Sequence, residues 1–285
     1  MAASIPILSG VGDLAARFPV WLCDIWGVLH NGEVAFAPAA AALETFRSAG
    51  GTVVLITNAP RPHDDVARQI ARLGITRAAY DAIVTSGDVT RELIADYAGR
   101  NLLHLGADQD RTIYDGLEAR LTGETDAVAV VCTGLIDDLA ETPETYAPQL
   151  RRLHARGLPM ICANPDIVVE RGAQLCYCAG AIGQAYAALG GVVAYAGKPH
   201  APIYTAAIAK ARASRGKPTA MRDVLAIGDG MNTDILGAHR HGVDMLFVAS
   251  GIHLEAGEGL HAATLARLFA GRPERPVGAI AGLTW

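Results

Sequence analysis

The chain is poor in charged and aromatic residues, and it has no excess of positive charge. Charged residues make up 19% of its 285 positions and aromatic residues 6%, and the formal net charge is −5. Proteins that bind nucleic acid or anionic membranes through surface charge usually carry a basic patch, and this composition provides no such footprint. We therefore expect neither a nucleic acid nor a membrane surface among its partners.

Long apolar runs and paired cysteines are also missing. No stretch approaches the roughly 18 apolar residues of a membrane-spanning helix, and the first residues lack the basic and apolar regions of a secretory signal. The five cysteines are an odd number, and Cys176 and Cys178 have no second pair with which to hold zinc. We expect reduced thiols and a cytoplasmic protein.

The apolar residues that are present occur in short Val- and Ile-rich runs and make up 51% of the chain. Between residues 20 and 97 these runs alternate with amphipathic stretches, which is the pattern of a doubly wound, Rossmann-like parallel sheet in the α/β class. The predicted strands of this part are 20–23, 53–57 and 82–85, and the predicted helices are 38–49, 63–73 and 87–97.

The alternation restarts at about Gly99. It predicts strands at 102–105, 127–132 and 159–163, with helices around 113–121 and 143–156. A segment that holds several strands and helices is better explained as an inserted domain than as a loop. We predict three parts, namely a first part of the core at 1–98, an inserted α/β domain at 99–190, and a second part of the core at 191–285.

Polar residues follow the predicted core strands at the points where these strands end. Because parallel strands present their carboxyl ends at one edge of the sheet, and ligands bind at that edge, these residues are candidates for an active site. They are Asp24, Thr57, Asn58 and Asp229, with Lys198 in the segment Gly197-Lys198-Pro199 and Asp234 five residues beyond Asp229.

These segments, taken in this order, resemble the haloacid dehalogenase superfamily. The Thr57-Asn58 pair and the acidic segment 228–238 are similar to its class IIA branch, which includes nucleotide, sugar-phosphate and phosphoglycolate phosphatases. The resemblance implies that Asp24 is a nucleophile that forms an aspartyl-phosphate, and that Thr57 and Lys198 bind the phosphoryl group. It also implies that the inserted domain is a cap over the active site.

The resemblance further implies that the acidic residues hold Mg²⁺. Mg²⁺ prefers hard oxygen ligands and keeps several waters. We predict that the Asp24 carboxylate, the backbone carbonyl of Trp26 and the Asp229 carboxylate bind the ion, with Asp234 as a further or water-mediated partner. Asn58 would donate to phosphate or orient the leaving group, although a residue at this place could equally cap the following helix.

Trp26 is a departure from the family pattern. Most phosphatases of this family carry a second Asp two residues after the nucleophile as general acid and base, and an indole cannot exchange a proton near neutral pH. The absence of this acid leaves four explanations open. The protein could be a slow phosphatase, its substrate could have a good leaving group, another residue could supply the proton, or the protein could bind its ligand without turnover. Haloacid dehalogenases also carry an aromatic residue at this position, so cleavage of a carbon–halogen bond is a rival function. Those enzymes work without Mg²⁺, however, whereas this chain retains Asp229 and Asp234, the carboxylates that would bind the metal.

His30 and Asp166 are the candidates for a replacement acid, although each could instead serve an ordinary turn. In class IIA relatives the segment that corresponds to 163–166 faces the substrate, so we predict that Asn164 and Asp166 bind substrate together with Trp26. The sequence as a whole predicts an Mg²⁺-dependent phosphatase of a small phosphorylated metabolite, with homo-oligomer formation left open. It does not name the metabolite.

Overall fold

The computed structural model describes residues 4–171, 174–249 and 259–285. The chain divides into two compact units. The core unit comprises Met1–Thr57, Ala67–Val84 and Tyr204–Trp285, and the second unit comprises Asn58–Val66 and Thr85–Ile203.

Strands and helices alternate along most of the described chain. The strands are β1 (Val20–Asp24), β2 (Thr52–Thr57), β3 (Ala82–Thr85), β4 (Asn101–Leu105), β5 (Arg120–Leu121), β6 (Ala129–Cys132), β7 (Met160–Cys162), β8 (Val168–Arg171), β9 (Gln174–Tyr177), β10 (Val193–Tyr195), β11 (Val224–Gly228), β12 (Asp244–Val248) and β13 (Gly278–Ile280). The α-helices are α1 (Gly12–Ala15), α2 (Ala37–Ser48), α3 (His63–Arg72), α4 (Ser86–Ala95), α5 (Ala147–Ala155), α6 (Ala179–Ala188), α7 (Ala201–Arg215), α8 (Leu236–Arg240) and α9 (Ala262–Leu268). Tighter 3₁₀ turns occupy Arg77–Ala79, Asp108–Tyr114, Pro143–Tyr146 and Met221–Asp223, and a wide π turn occupies Met231–Ile235.

The core unit is built on a six-stranded sheet in the order β13-β12-β11-β1-β2-β3. The strand β1 pairs in parallel with β11 on one side and with β2 on the other. The chain therefore winds outward from β1 in one direction and from β11 in the opposite direction, so the strand order reverses between these two strands. Ligands of doubly wound sheets bind at the carboxyl ends of the strands at this switch point.

Burial in the core unit explains why β1 lies at the centre of its sheet. All five residues of β1 are buried, and Trp21 stacks on Phe46 of α2 with ring centroids 3.6 Å apart and planes within 5°. Aromatic side chains bury more apolar area than any others. This contact fixes α2 against the sheet and with it the strand that ends in Asp24.

The second unit has its own five-stranded sheet in the order β10-β7-β6-β4-β5, and every pair in it is parallel. Alternate residues of its strands belong to two separate apolar clusters. One cluster contains residues from α5 and α6, and the other contains residues from α4 and from the turn at 108–114. Both faces of this sheet are thus covered, as a parallel sheet requires.

The predicted α/β class with a parallel, Rossmann-like core and a further α/β domain is confirmed. The predicted helix at 113–121 is wrong, because residues 108–114 form a 3₁₀ turn and Arg120 and Leu121 pair with β4 as a strand. Gly116 has a φ of +75°, which a helix cannot accommodate. Within the described ranges, no helix combines the length and the apolar character that crossing a bilayer demands.

Candidate active site

Three carboxylates of the core unit meet at the switch point of its sheet. Asp24 is the last residue of β1, Asp229 follows directly on β11, and Asp234 lies in the wide turn after β11. One oxygen of each carboxylate lies within 4.8 Å of those of the other two. Asp24 and Asp234 are buried, and Asp229 is partly exposed. Three such groups repel one another unless a cation or protons compensate their charge.

The loop after β1 turns back sharply beside this cluster. The N–H of Gly27 donates to the carbonyl of His30 at 2.8 Å, and the N–H of Leu29 donates to the carbonyl of Ile25 at 2.8 Å. Gly27 has a φ of +83°, and a Cβ atom built on it would overlap the Asp229 carboxylate. A residue without a side chain is therefore required at position 27, both for the turn and for the approach of Asp229.

Asp234 is oriented by the residues of its own turn. Its carboxylate accepts a hydrogen bond from the backbone N–H of Gly230 at 3.1 Å and lies 3.4 Å from the hydroxyl of Thr233, which donates to it. Donors of this kind fix the direction in which a carboxylate presents its second oxygen. The Asp234 carboxylate is therefore oriented by hydrogen bonds within its turn, whereas Asp24 is positioned by the strand that it ends.

Trp26 lies within the sharp turn after β1, and its indole packs edge-on against the ring of His30 with centroids 5.1 Å apart. His30 is buried, and its Nδ1 accepts the N–H of Gly32 at 2.9 Å. Burial lowers the pKa of His30 to about 4. His30 is therefore a neutral imidazole at neutral pH, and it holds no readily released proton for a leaving group.

Thr57 is the last residue of β2, the neighbour of β1 in the core sheet. Asp24 is level with Ile56 in the parallel register of the two strands, so Thr57 lies one residue farther along the same edge. Thr57 is buried. Its hydroxyl thus belongs to the strand edge that carries the acidic cluster.

In the second unit, Asn58 joins Lys198 and Asp166. The Asn58 amide oxygen accepts the backbone N–H of Lys198 at 2.7 Å, and its Nδ2 donates to the Lys198 carbonyl at 3.1 Å. The same Nδ2 donates to the Asp166 carboxylate at 2.9 Å. Asn58 and Lys198 are both buried. Asn58 therefore fixes the backbone that carries the lysine.

Asn164 forms the turn that follows β7. Its side-chain oxygen accepts the N–H of Asp166 at 3.0 Å, and Asn164 is buried. This is the Asx-turn geometry expected of an Asn-Pro-Asp segment. The turn directs the Asp166 carboxylate to Asn58.

The predicted site residues fall into two groups, one in each unit. The core unit holds Asp24, Trp26, Thr57, Asp229 and Asp234, and the second unit holds Asn58, Asn164, Asp166 and Lys198. Two buried polar residues of the second unit were not predicted, namely Asp110 in the turn after β4 and Thr133 directly after β6. Thr133 directly follows the apolar strand β6, which is the same signal that points to Asp24 and Thr57 in the core.

Comparison with known proteins yields matches over most of the chain. Residues 21–120 match the family model described as haloacid dehalogenase-like hydrolase, and residues 195–268 match the model described as HAD-hydrolase-like. The ribonucleotide monophosphatase NagD of Escherichia coli K12 is 26% identical over 239 residues, which cover 81% of this chain and 87% of that protein.

Solved structures of this fold match more than nine-tenths of this chain. A haloacid dehalogenase-like hydrolase from Brucella suis 1330 is 46% identical, covers 97% of this chain and 100% of its own, and superposes with a TM-score of 0.88. A glycerol phosphate phosphatase from Mycobacterium tuberculosis, solved in complex with calcium, is 24% identical with a TM-score of 0.68, over 93% of this chain and 72% of that one. The second likeness is one of fold.

Proposed function

This chain belongs to the haloacid dehalogenase-like hydrolase family, and from that premise we propose that it is an Mg²⁺-dependent phosphatase of small phosphate esters that works through an aspartyl-phosphate. The family predicted from the sequence, with its class IIA branch, is confirmed. The prediction of an enzyme is confirmed at the level of a phosphatase-type hydrolase.

The observation that carries the proposal is the cluster of Asp24, Asp229 and Asp234. Their carboxylate oxygens lie within 4.8 Å of one another, and hard oxygen donors are the ligands that Mg²⁺ prefers. Gly27 leaves the space that the Asp229 carboxylate occupies. The donor set therefore fits a small divalent cation, which these three carboxylates would hold with the Trp26 backbone carbonyl.

Bound Mg²⁺ would neutralise charge on the phosphoryl oxygens. The covalent step belongs to Asp24, whose carboxylate oxygen attacks phosphorus while the ester oxygen departs, so that the phosphoryl group passes to the protein. Water then attacks the aspartyl-phosphate and releases inorganic phosphate, which restores the carboxylate. Splitting one difficult displacement into two easier steps is the general advantage of a covalent intermediate.

Lys198, Thr57 and Asn58 carry the remaining roles in this proposal. The Lys198 ammonium is a compact positive charge suited to phosphate, and a hydroxyl at Thr57 donates to a phosphoryl oxygen. Phosphoryl transfer depends on positioning and electrostatic stabilisation more than on further covalent chemistry. The contact of Asn58 with both backbone groups of Lys198 supports a positioning role for Asn58.

Trp26 favours a second candidate, a phosphometabolite-binding protein with little or no turnover. General acid–base assistance contributes roughly 10²–10⁴-fold to rate, and neither the indole of Trp26 nor the neutral His30 supplies a proton. Asp166 is the remaining carboxyl among the predicted site residues that could supply the proton, and it accepts a hydrogen bond from Asn58.

One assay separates the two candidates. The parent protein is incubated with p-nitrophenyl phosphate and with a panel of metabolite phosphates, with Mg²⁺ or with a chelator, and released phosphate is measured. Hydrolysis that requires Mg²⁺ supports the phosphatase. Absence of hydrolysis, combined with saturable binding of a phosphate ester in calorimetry, supports the binding protein.

The proposal also includes a small phosphorylated metabolite as substrate and a cytoplasmic location. None of the five buried cysteines forms a disulfide, which suits a reducing compartment. A cap formed by residues 99–190 and assembly into a homo-oligomer stay predictions, which limited proteolysis and light scattering would test.

A further inference from the structure

Asp234 lies in a wide turn rather than in a regular helix. The turn occupies Met231–Ile235 and is closed by the N–H of Ile235, which donates to the carbonyl of Gly230 at 3.0 Å. Turns of this width are rare, and they occur frequently at functional sites. The direction of the Asp234 carboxylate depends on the shape of this turn, so any group that holds the turn also holds part of the acidic cluster.

A side chain near the end of the core unit contacts this turn. Nη2 of Arg272 donates to the carbonyl of Met231 at 2.8 Å, and Nη1 of Arg272 donates to Oδ1 of Asn232 at 3.1 Å. These two hydrogen bonds end on a backbone carbonyl and a carboxamide oxygen. They therefore brace the turn without competing with a cation for the carboxylate oxygens of the acidic cluster.

Glu274 fixes the direction of the Arg272 guanidinium. Oε2 of Glu274 accepts Nε of Arg272 at 3.2 Å, and Oε1 of Glu274 accepts Nη2 of Arg272 at 3.3 Å. Glu274 is 2% exposed, and Arg272 is partly buried. A buried carboxylate is costly unless a cation pairs with it, and the planar guanidinium matches a carboxylate at two points. Glu274 thus directs the remaining N–H groups of Arg272 toward the turn.

One nitrogen joins the ion pair to the turn. Nη2 of Arg272 donates both to the Glu274 carboxylate and to the Met231 carbonyl. A rotation of the guanidinium that broke the contact with the turn would also break part of the ion pair, and hydrogen bonds between charged groups are the stronger ones. The ion pair therefore stabilises the position of a turn that lies 41 residues earlier in the chain.

This ion pair adds no net charge, because the guanidinium and the carboxylate compensate each other. Its effect on a bound cation would therefore act through the position of Asp234. Ligands that are already in place bind a cation more tightly, since less order has to be created on binding. Groups that orient metal ligands from outside the coordination shell typically contribute 10- to 100-fold to metal affinity.

We propose that Arg272, held by Glu274, is a positioning residue of the metal site and fixes the turn that presents Asp234 to Mg²⁺. Both residues lie beyond residue 268, where the match to the family model ends, so the motifs of the family assign them no role. The inference rests on the proposed function, in which Asp24, Asp229 and Asp234 hold the ion.

The main test removes the ion pair as a whole. The double variant Arg272→Met/Glu274→Leu puts apolar side chains at both positions, so it leaves no buried charge unpaired and should fold. Its formal net charge stays at −5, as in the parent. The Mg²⁺ affinity measured by calorimetric titration should fall about tenfold. In the metal-free protein, hydrogen exchange of the Ile235 N–H should become faster, which reports on the turn without any metal.

Two single variants separate position from charge. Arg272→Lys keeps the positive charge and leaves Glu274 with a cation but loses the planar fork, so it should weaken Mg²⁺ binding nearly as much as the double variant. Arg240→Met removes an exposed positive charge at the end of α8, the helix that follows the turn. This control should bind Mg²⁺ at least as tightly as the parent and should keep the parent's exchange rate.

Parent-like Mg²⁺ affinity in the double variant would overturn the inference, and a lower melting temperature alone would show a merely structural role for the pair. Parent-like affinity in Arg272→Lys would attribute any effect to charge and would also refute positioning. If the double variant did not fold, Arg272→Lys would decide by the same two measurements. A parent protein that bound no Mg²⁺ would refute the proposed metal site itself, and the inference with it.

Discussion

The side chain of Asn58 holds the backbone of Lys198 on both sides of its Cα atom. The carboxamide oxygen of Asn58 accepts the N–H of Lys198 at 2.7 Å, and the carboxamide nitrogen donates to the carbonyl of Lys198 at 3.1 Å. Both residues are buried, so neither backbone group can turn to water instead. The position of the lysine therefore depends on a residue 140 places earlier in the chain.

Asn58→Ala should displace Lys198 and lower kcat/KM for phosphate esters about tenfold or more. It should also lower the free energy of unfolding by about 1–3 kcal/mol, because two buried backbone groups lose their partners. Steady-state kinetics and urea unfolding measure the two effects. Asn101→Ala is the control, since the side chain of Asn101 donates a long hydrogen bond, at 3.4 Å, to the carbonyl of Asp126. Parent-like kinetics in Asn58→Ala would remove Asn58 from the site.

Asp24→Asn should reduce turnover to background while the protein stays folded. The substitution keeps the volume of the buried side chain but removes the charge of the nucleophile. Phosphate release from p-nitrophenyl phosphate and circular dichroism check the two parts. Asp13→Asn, an exposed position in the same unit, should behave as the parent. Hydrolysis by Asp24→Asn at the parent's rate would disprove the covalent route.

Mg²⁺ should raise the melting temperature of the core unit. The three carboxylates repel one another without a cation, and a ligand that binds only the folded state stabilises it by about 2.7 kcal/mol at a concentration 100-fold above its Kd. Thermal unfolding at a series of Mg²⁺ concentrations should show this increase in melting temperature, and the increase should be smaller in Asp229→Asn. Asp96→Asn, at an exposed position, should keep the full increase. Melts that are insensitive to Mg²⁺ and to a chelator would count against the metal site.

Gly27→Ala should weaken Mg²⁺ binding, and Gly50→Ala should not. Both glycines have similar φ values, +83° and +90°, so alanine brings comparable backbone strain at either position. A Cβ atom at residue 27 overlaps the Asp229 carboxylate, whereas one at residue 50 meets nothing within 4 Å. Calorimetric titration with Mg²⁺ reads the difference directly. Equal Mg²⁺ affinities in the two variants would show that overlap with the Asp229 carboxylate does not affect metal binding.

Trp26→Asp should raise hydrolysis of alkyl phosphates, whose leaving group needs a proton, and should hardly change that of p-nitrophenyl phosphate, whose leaving group does not. Rates over leaving groups of graded pKa measure this effect. Trp26→Phe is the control, because it keeps an aromatic ring next to His30 without adding a carboxyl group. A loss of rate with every ester in Trp26→Asp, with the fold retained, would assign Trp26 a positive role as an apolar wall for substrate.

Much of this architecture is predictable because local signals and burial agree. Strand β1 is a run of apolar residues that ends in an acid, and it lies in the middle of the sheet with every residue buried. A helix was wrongly predicted at 113–121 because Ile113, Leu117 and Leu121 have helical spacing. Tertiary pairing overrides that spacing, since Leu121 joins β4 as a strand neighbour of Leu102.

The parts of the site that escaped prediction depend on distant partners. Nothing near Asn58 in the sequence indicates that its amide binds the backbone of Lys198. The close approach of Gly106 to Thr133, where a Cβ atom would overlap the Thr133 hydroxyl, is likewise created only by the packed sheet. Sequence patterns locate strand ends, and three-dimensional packing decides which side chains meet at them.

The pairing of β1 with β11 also has a consequence for biosynthesis. Val20 pairs with Val224, 204 residues later, so the ribosome completes one edge of β1 early and its other edge late. At 5–20 residues per second this delay is about 10 to 40 s. During that time the apolar edge of β1 has no neighbour, and the Asp24 carboxylate has neither of its acidic companions. The acidic cluster therefore cannot assemble until Asp234 has been synthesised, 210 residues after Asp24.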